Sequence, residues 1–388
     1  MISRPSTERV ERRVAITGMG TVNALTFGGT AAVAGALALE RSGIGPVGAL
    51  AGGSGPSRLG ALVDDGVLAS LVDDGEARRL SRICRLTMAA CRLAVEDAGV
   101  RTRAGLAIVI GSEHGDFRSS EDFARGYLRR GLAGLSPMIF PNTVMNTMAS
   151  VVAIAIGAQA PSITINQSTV VGDLAVARAA ALVRSGAADA AVAGGVDEIC
   201  EIAYRHLSDL GALSPMRGGG AEGCRPFAAD HNGPVLGEGA TFLVLEDLAT
   251  ARERGATVLA EIADAAWGNL PAAPHAARAR RQDPGSPVRA LLRDRAAAGF
   301  RRCYGAGNGD PGVDDWERSL LARDLGKAAG DLEPPVSLAS RFGQHGGLGA
   351  LRVAAAVLDV ARGVAPVLVH GIARGGCRTA LVLSSADT

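Results

Sequence analysis

Aromatic residues are scarce in this sequence: Phe, Trp and Tyr make up 3% of 388 residues. A core built without them draws its apolar area from Ala, Val and Leu, so helices and strands must approach closely through small side chains. An excess of one charge is missing too, since Lys+Arg 40 against Asp+Glu 39 gives a formal net charge of +1. That balance argues against a nucleic-acid or anionic-membrane binder. No apolar run reaches the roughly 20 residues needed to span a bilayer. The longest candidate, residues 149–160, contains Ser150, Gly157 and Gln159. Residues 1–13 are polar and charged and lack the apolar core of a signal peptide. The six cysteines, Cys84, Cys91, Cys200, Cys224, Cys303 and Cys377, form no CxxC pair. Zinc and a disulfide framework are therefore not expected, and reduced thiols in a cytoplasmic protein are.

What the sequence does have is small residues in alternating patterns. Strands are expected at residues 14–17, 106–110, 162–165, 190–193, 241–246, 303–305, 367–370 and 379–384. The first should end in a turn at Gly18-Met19-Gly20 and the fourth at Gly194-Gly195. Helical spacing marks residues 30–39, 81–97, 143–157, 172–185, 288–298, 316–325 and 348–361. Residues 268–286, rich in Pro, Ala and Arg, read as an exposed loop. Alternation of this kind implies an α/β protein whose sheets are covered by helices.

Four segments look chemical. The strand at 162–165 leads through Asn166-Gln167-Ser168-Thr169-Val170-Val171-Gly172 into a helix. Such a turn lifts its apical side chain to a helix N-terminus, where developing negative charge is favoured. Cys224-Arg225-Pro226-Phe227 runs on through Asp230 to Leu236-Gly237-Glu238-Gly239-Ala240. Tyr304-Gly305-Ala306-Gly307-Asn308-Gly309 precedes Asp314 and Glu317. Ser340, Gly343, Gln344 and His345 precede a glycine cluster, and a further glycine-rich loop spans residues 371–376.

On these segments the chain resembles the β-ketoacyl synthase family over nearly its whole length. Arg13-Val14-Ala15-Ile16-Thr17-Gly18-Met19-Gly20 is similar to the family's first strand, and the 224–240 segment is highly specific to it. The family's nucleophilic cysteine stands three residues before a glycine, which puts Thr169 in its place when counted from Gly172. The HGTGTxxGDxxE motif fits residues 306–317, with Gly307, Gly309, Asp314 and Glu317 matching and Ala306 at the first histidine. The KSxxGHxxG motif fits residues 339–347, with Ala339 at the lysine and Gln344 at the histidine. In the GFGGTN loop Gly375 and Gly376 match, while Arg374 replaces the gating phenylalanine. Condensation needs a thiolate and two imidazoles. A threonine hydroxyl is a poor nucleophile without a base, and Gln344 cannot exchange a proton near neutral pH.

The resemblance implies a thiolase fold: two similar halves forming a five-layered α/β/α/β/α domain. Residues 12–250 would form an N-terminal half carrying interface and tunnel segments, and 251–388 a C-terminal half, in one integrated unit. Within the family the pattern resembles the chain length factor, or KSβ subunit, of bacterial type II polyketide synthases. That implies a heterodimer with an active ketosynthase (KSα), an acyl carrier protein with phosphopantetheine as the complex's other partner, and no bound cofactor or metal. Residues 162–166 (Ser162, Ile163, Thr164, Ile165, Asn166) would pair across the interface. Phe117, Phe123, Met138 and Phe140, in a bulky segment at 116–146, would line the tunnel or meet the partner, or else pack an ordinary core. The product class is open between aromatic and reduced or polyene chains.

Other readings stand beside these. One has the Thr169 hydroxyl satisfied by local backbone; another has Thr169 or Ser168 serve a divergent acyltransferase with His345 as base. A homodimeric acyl-binding scaffold is the third reading. The ungapped match of Ser340, Gly343 and Gly347 favours Gln344 over His345 at the histidine position. Asp314 and Glu317 are expected to hold their loop by bonds to backbone. Arg374 is expected to be solvated or ion-paired, or to act on the gating loop. The run Arg278-Ala279-Arg280-Arg281 is either a solvated loop or a docking site for an acidic carrier protein. His114, His206, His231, His275 and His370 belong to no evident constellation.

Overall fold

The computed structural model describes residues 11–51, 54–216, 219–270, 272–273, 276, 286–293, 299–326 and 333–387. The run at 278–281, His275 and the second part of the expected 288–298 helix lie outside the described residues. In chain order the strands are β1 (Val14–Asn23), β2 (Phe27–Gly28), β3 (Ile44–Pro46), β4 (Leu59–Ala61), β5 (Leu106–Ser112) and β6 (Ser162–Asn166). They continue as β7 (Ala190–Asp197), β8 (Gly239–Asp247), β9 (Ala260–Asn269), β10 (Arg302–Tyr304), β11 (Val367–Ile372) and β12 (Cys377–Ser384). Ten of them form one mixed sheet in the order β10-β11-β12-β9-β1-β8-β7-β5-β6, with β2 beside β1. The pairs β5/β6, β5/β7 and β10/β11 are parallel. The two sides of the sheet join where Val14, Ala15 and Ile16 meet Ile262, Glu261 and Ala260.

Helices sort into three layers around this sheet. Arg82–Asp97 and Thr147–Ile156 pack on each other over the β1/β8 and β5/β6 side. Pro287–Arg293 covers β9 and β12 and touches Pro311–Leu325. Between the two halves lie Val171–Arg184, the turn helix, and Gly347–Ala361, which pack together and reach strands on both sides. This is the expected five-layered α/β/α/β/α arrangement. The Gly347–Ala361 helix is buried from Gly347 through Val360, as a helix enclosed by sheets on both faces must be. It carries two buried charged side chains: Asp359, which accepts from the Tyr304 hydroxyl at 2.7 Å, and Arg352, whose guanidinium donates to the Asp173 carboxylate on the turn helix, with Arg352 1% and Asp173 0% exposed.

Three local expectations change. Gly18-Met19-Gly20 is not a turn; β1 continues through it, with an irregular register against β8 between Ile16 and Gly18. These glycines admit the Arg82–Asp97 helix, since a Cβ at Gly20 would lie 2.3 Å from the Ala90 carbonyl. Gly194-Gly195 likewise lie inside β7, pressed against β8, where a Cβ at Gly194 would lie 1.9 Å from the Thr241 carbonyl. Strand β9 occupies Ala260–Asn269, so the expected loop at 268 begins later. The 116–146 segment contains a helix, Phe117–Arg130, whose N-cap Asp116 accepts from Ser119 N at 2.8 Å. Among the described residues no helix is long and apolar enough to cross a membrane.

Candidate functional site

Three parallel strands end at one place, the edge where ligands gather in α/β sheets. Their last residues are linked: Ser112 Oγ donates to Asp197 Oδ1 at 2.7 Å, and Asn166 Nδ2 donates to the Ser112 carbonyl at 3.0 Å. The chain then turns through Gln167 to Val170 into the turn helix. Gln167 Oε1 accepts from Ser168 N at 2.9 Å. Thr169 is half-buried and its hydroxyl lies 3.4 Å from the Ile372 carbonyl, so a backbone carbonyl 203 residues further along the chain, and not the local backbone, is its partner. Ser168 Oγ instead donates to Glu113 Oε1 at 2.8 Å, and the Glu113 carboxyl lies beside the Thr169 amide. Burial raises the Glu113 pKa above the usual carboxylate range; His114 opposes that shift and Asp197 adds to it.

The loop opposite is held by carboxylates. Asp314 Oδ1 accepts from Asn308 N at 2.9 Å and Gly309 N at 3.3 Å. Its Oδ2 accepts from Phe227 N at 2.8 Å and lies 3.1 Å from His231 Nδ1. Phe227 adopts φ +61°, a conformation few bulky residues take, and its ring fills the space above Gly307. Glu317 Oε1 accepts from Ala306 N at 2.9 Å and lies 2.6 Å from His370 Nδ1. Both carboxylates therefore hold the loop by its backbone, as expected. Ala306 packs with Leu270, Val313, Trp316, Leu320 and Ile372, so an apolar cluster surrounds the first histidine position. The loop at 371–376 is tied to the same region by an ion pair, Arg374 Nε to Asp310 Oδ2 at 2.8 Å. Gly375 and Gly376 follow it at φ +84° and +94°.

Gln344 and Ala339 are buried. Neither polar atom of the Gln344 amide finds a hydrogen-bond partner among the described residues. His345 Nδ1 accepts from Gly347 N at 3.1 Å, which leaves its proton on Nε2 and its acceptor nitrogen occupied. Burial pushes its pKa from 6.5 down to about 4. A folded pKa below the unfolded one means the unfolded chain binds more protons between those values. The neutral ring thus contributes stability above pH 6.5 that is lost as pH falls toward 4, by up to about 3 kcal/mol. The urea midpoint of wild type should drop more steeply from pH 7 to 4.5 than that of His345→Gln. Equal slopes would put the imidazole elsewhere.

The structure brings Thr169 close to Ile372, at the base of the 371–376 loop, but no hydrogen bond joins Thr169 to Gln344 or His345 among the described residues. Sequence reasoning missed Glu113 and the buried His370–Glu317 pair. The position of Glu113 just beyond the end of a buried parallel strand was the available signal. Ligand atoms of Glu113, His114 and Asp197 lie within 4.8 Å of one another. Asp197 is already engaged by Ser112 Oγ, Glu113 N, His114 N and Gly346 N, so a cation would have to displace those donors. Strand β6 ends the sheet, with Ser162 and Asn166 exposed and Ile163, Thr164 and Ile165 half-buried. Ile154 on the neighbouring helix is 83% exposed. Phe117, Met138 and Phe140 are exposed as well, which corrects a pure core role for them; Phe123 is half-buried against Phe140, ring centroids 5.8 Å apart.

Two mixed half-sheets enclosing a buried helix pair, with a strand–turn–helix at their junction, define a thiolase-type condensing-enzyme frame. The family model for the β-ketoacyl synthase N-terminal domain matches residues 11–251, and the chain belongs to the β-ketoacyl synthase family. It is 30% identical over 373 residues to the granaticin polyketide putative beta-ketoacyl synthase 1 of Streptomyces violaceoruber, covering 92% of this chain and 87% of that one. Among solved structures, the ishigamide ketosynthase/chain length factor superposes with a TM-score of 0.84 at 23% identity, covering 97% of this chain and 100% of that chain. A type II polyketide synthase acyl-carrier protein in complex with its ketosynthase bound to the hexaketide gives 0.82 at 20% identity, with the same coverage. These likenesses establish the thiolase fold.

Proposed function

We propose that this chain is a non-catalytic chain length factor of a type II polyketide synthase. It pairs with an active ketosynthase and shapes the tunnel in which that partner extends a chain from malonyl units on an acyl carrier protein. The observation that carries the reading is the contrast at the site. Thr169, Ala306, Gln344 and Ala339 fill the four reactive positions, while Asp314, Glu317 and Phe227 still hold the surrounding loops. A hydroxyl bound to a carbonyl, a methyl group in an apolar cluster and an amide supply neither thiolate nor imidazole.

Similarity to a ketosynthase/chain length factor pair and to a polyketide ketosynthase supports the assignment. The open edge of β6 and the exposed Met138, Phe140 and Ile154 suit a partner's surface. Phe117 and Phe123 lie on the helix that would line the tunnel or meet the partner. Residues 12–250 and 251–388 act as one unit in this reading, in the cytoplasm. The chain binds no cofactor of its own, and the carrier protein brings phosphopantetheine. An acyltransferase built on Thr169 with His345 lacks a hydrogen bond between the two, because His345 Nδ1 accepts from Gly347 N. A homodimeric scaffold would use the same open edge.

Reconstitution tests the reading. The chain alone should not elongate malonyl-carrier protein. With a cognate ketosynthase, elongation should appear, survive Thr169→Ala within about twofold, and vanish when the partner's cysteine is replaced. Elongation by this chain alone, or its loss in Thr169→Ala, would overturn it, and a stable homodimer indifferent to the ketosynthase on gel filtration would favour the scaffold.

A further inference from the structure

The turn at Thr169 already holds a carboxylate from its own chain. Glu113 is anchored by its backbone: its N–H donates to Asp197 Oδ1 at 3.1 Å, and its carbonyl accepts from Asn166 Nδ2 at 2.8 Å. From that base its side chain reaches the turn, taking the Ser168 hydroxyl at 2.8 Å and lying beside the Thr169 amide. Both donors stand just ahead of a helix of 14 residues, whose N-terminal end favours an anion. An acyl carbonyl or a malonyl carboxylate placed at this turn would need the same donors.

We propose that Glu113 is an internal occupant of the turn: by holding the Ser168 O–H and covering the neighbouring Thr169 N–H, it excludes acyl thioesters, and malonyl groups above all, from the position where a condensing enzyme would load them. Exclusion has two parts. The carboxylate takes the Ser168 donor and covers the Thr169 amide, and its negative charge opposes a second carboxylate brought within a few ångströms. The inference rests on the chain length role and gives it a specificity residue. A subunit that works by shape gains from not drawing acyl units away from its partner's cysteine.

The test uses the full chain and a malonyl-pantetheine analogue with methylene in place of the thioester sulfur. Wild type should bind it weakly. Glu113→Ala frees both donors and removes the charge, and should lower Kd at least tenfold. Glu113→Gln keeps the bulk but loses the charge, and should give a smaller gain. A folded alanine variant that binds no better than wild type overturns the proposal. If alanine fails to fold, an absent gain in the glutamine variant does the same. A second probe, an acetyl-pantetheine thioester, should leave the wild-type mass unchanged. An adduct on Ser168 that disappears in Glu113→Gln would make Glu113 a base for Ser168 and overturn its role as an occupant. Wild-type elongation with the ketosynthase is measured in parallel. Its absence counts against the chain length role alone, and the binding gain is read without it.

Discussion

Arg352→Ala is expected to lower the unfolding free energy by about 3–5 kcal/mol, the cost of leaving a buried charge without its partner. Asp173 and Arg352 join the two helices between the half-sheets, and neither reaches solvent. Burial already raises the Asp173 pKa, and Arg352 is the main opposing influence. With the guanidinium gone, Asp173 would stay protonated over a wider range. A carboxyl whose folded pKa lies above its unfolded value destabilises the fold as pH rises through that range. The variant's deficit should therefore be larger at pH 8 than at pH 5. Replacing both residues together, Asp173→Leu with Arg352→Met, should recover most of the loss. Chemical denaturation of Asp173→Leu, Arg352→Met and the double variant closes the cycle. A deficit in Arg352→Ala below about 1 kcal/mol would mean that the pair is not buried as described.

Asp314→Ala should be of similar size, about 3–5 kcal/mol, because it strands several donors at once. The amides of Asn308, Gly309 and Phe227 all lose their acceptor in a buried site. Each unsatisfied buried donor costs about 1–3 kcal/mol, and partial relaxation keeps the sum below the total. Phe227 also loses the contact that holds it at φ +61°. Hydrogen exchange should accelerate at residues 306–309 and at Phe227 before the rest of the sheet changes. Asp314→Asn keeps one acceptor oxygen and should lose about half as much. If exchange at these amides is unchanged in Asp314→Ala, the carboxylate is not their anchor.

The strands and helices of the fold were legible where local pattern dictates structure. Residues 106–110 and 367–370 read as buried strands because continuous apolar β-branched runs admit little else, and the structure places β5 and β11 there. Glycines misled where they serve packing rather than turning: Gly20 and Gly194 lie inside strands because a helix or a neighbouring strand needs the room of a missing side chain. Strand β9 escaped because Ala260–Asn269 is Ala-rich, with polar residues scattered through it, and neither period dominates. At the site, the motif spacing assigns Thr169, Ala306, Gln344 and Ala339 to the reactive positions by resemblance, since scaffold glycines fix the count. Glu113 and His370 did not show, because Glu113 meets Ser168 across 55 residues and His370 meets Glu317 across 53. Pairing at that range is decided by strand order, which no local period reports.

The free side of β6 has a consequence for supply in the cell. The outer edge of this five-residue strand, which among the described residues pairs only with β5, is a template for any other extended chain. Every copy synthesised ahead of whatever covers that edge is exposed to self-association, and the loss grows with the square of the uncovered concentration. The useful dose of this protein is then a ratio rather than an amount. Raising its expression alone should fill inclusion bodies, and matching it to the proposed ketosynthase partner should return the same polypeptide to solution.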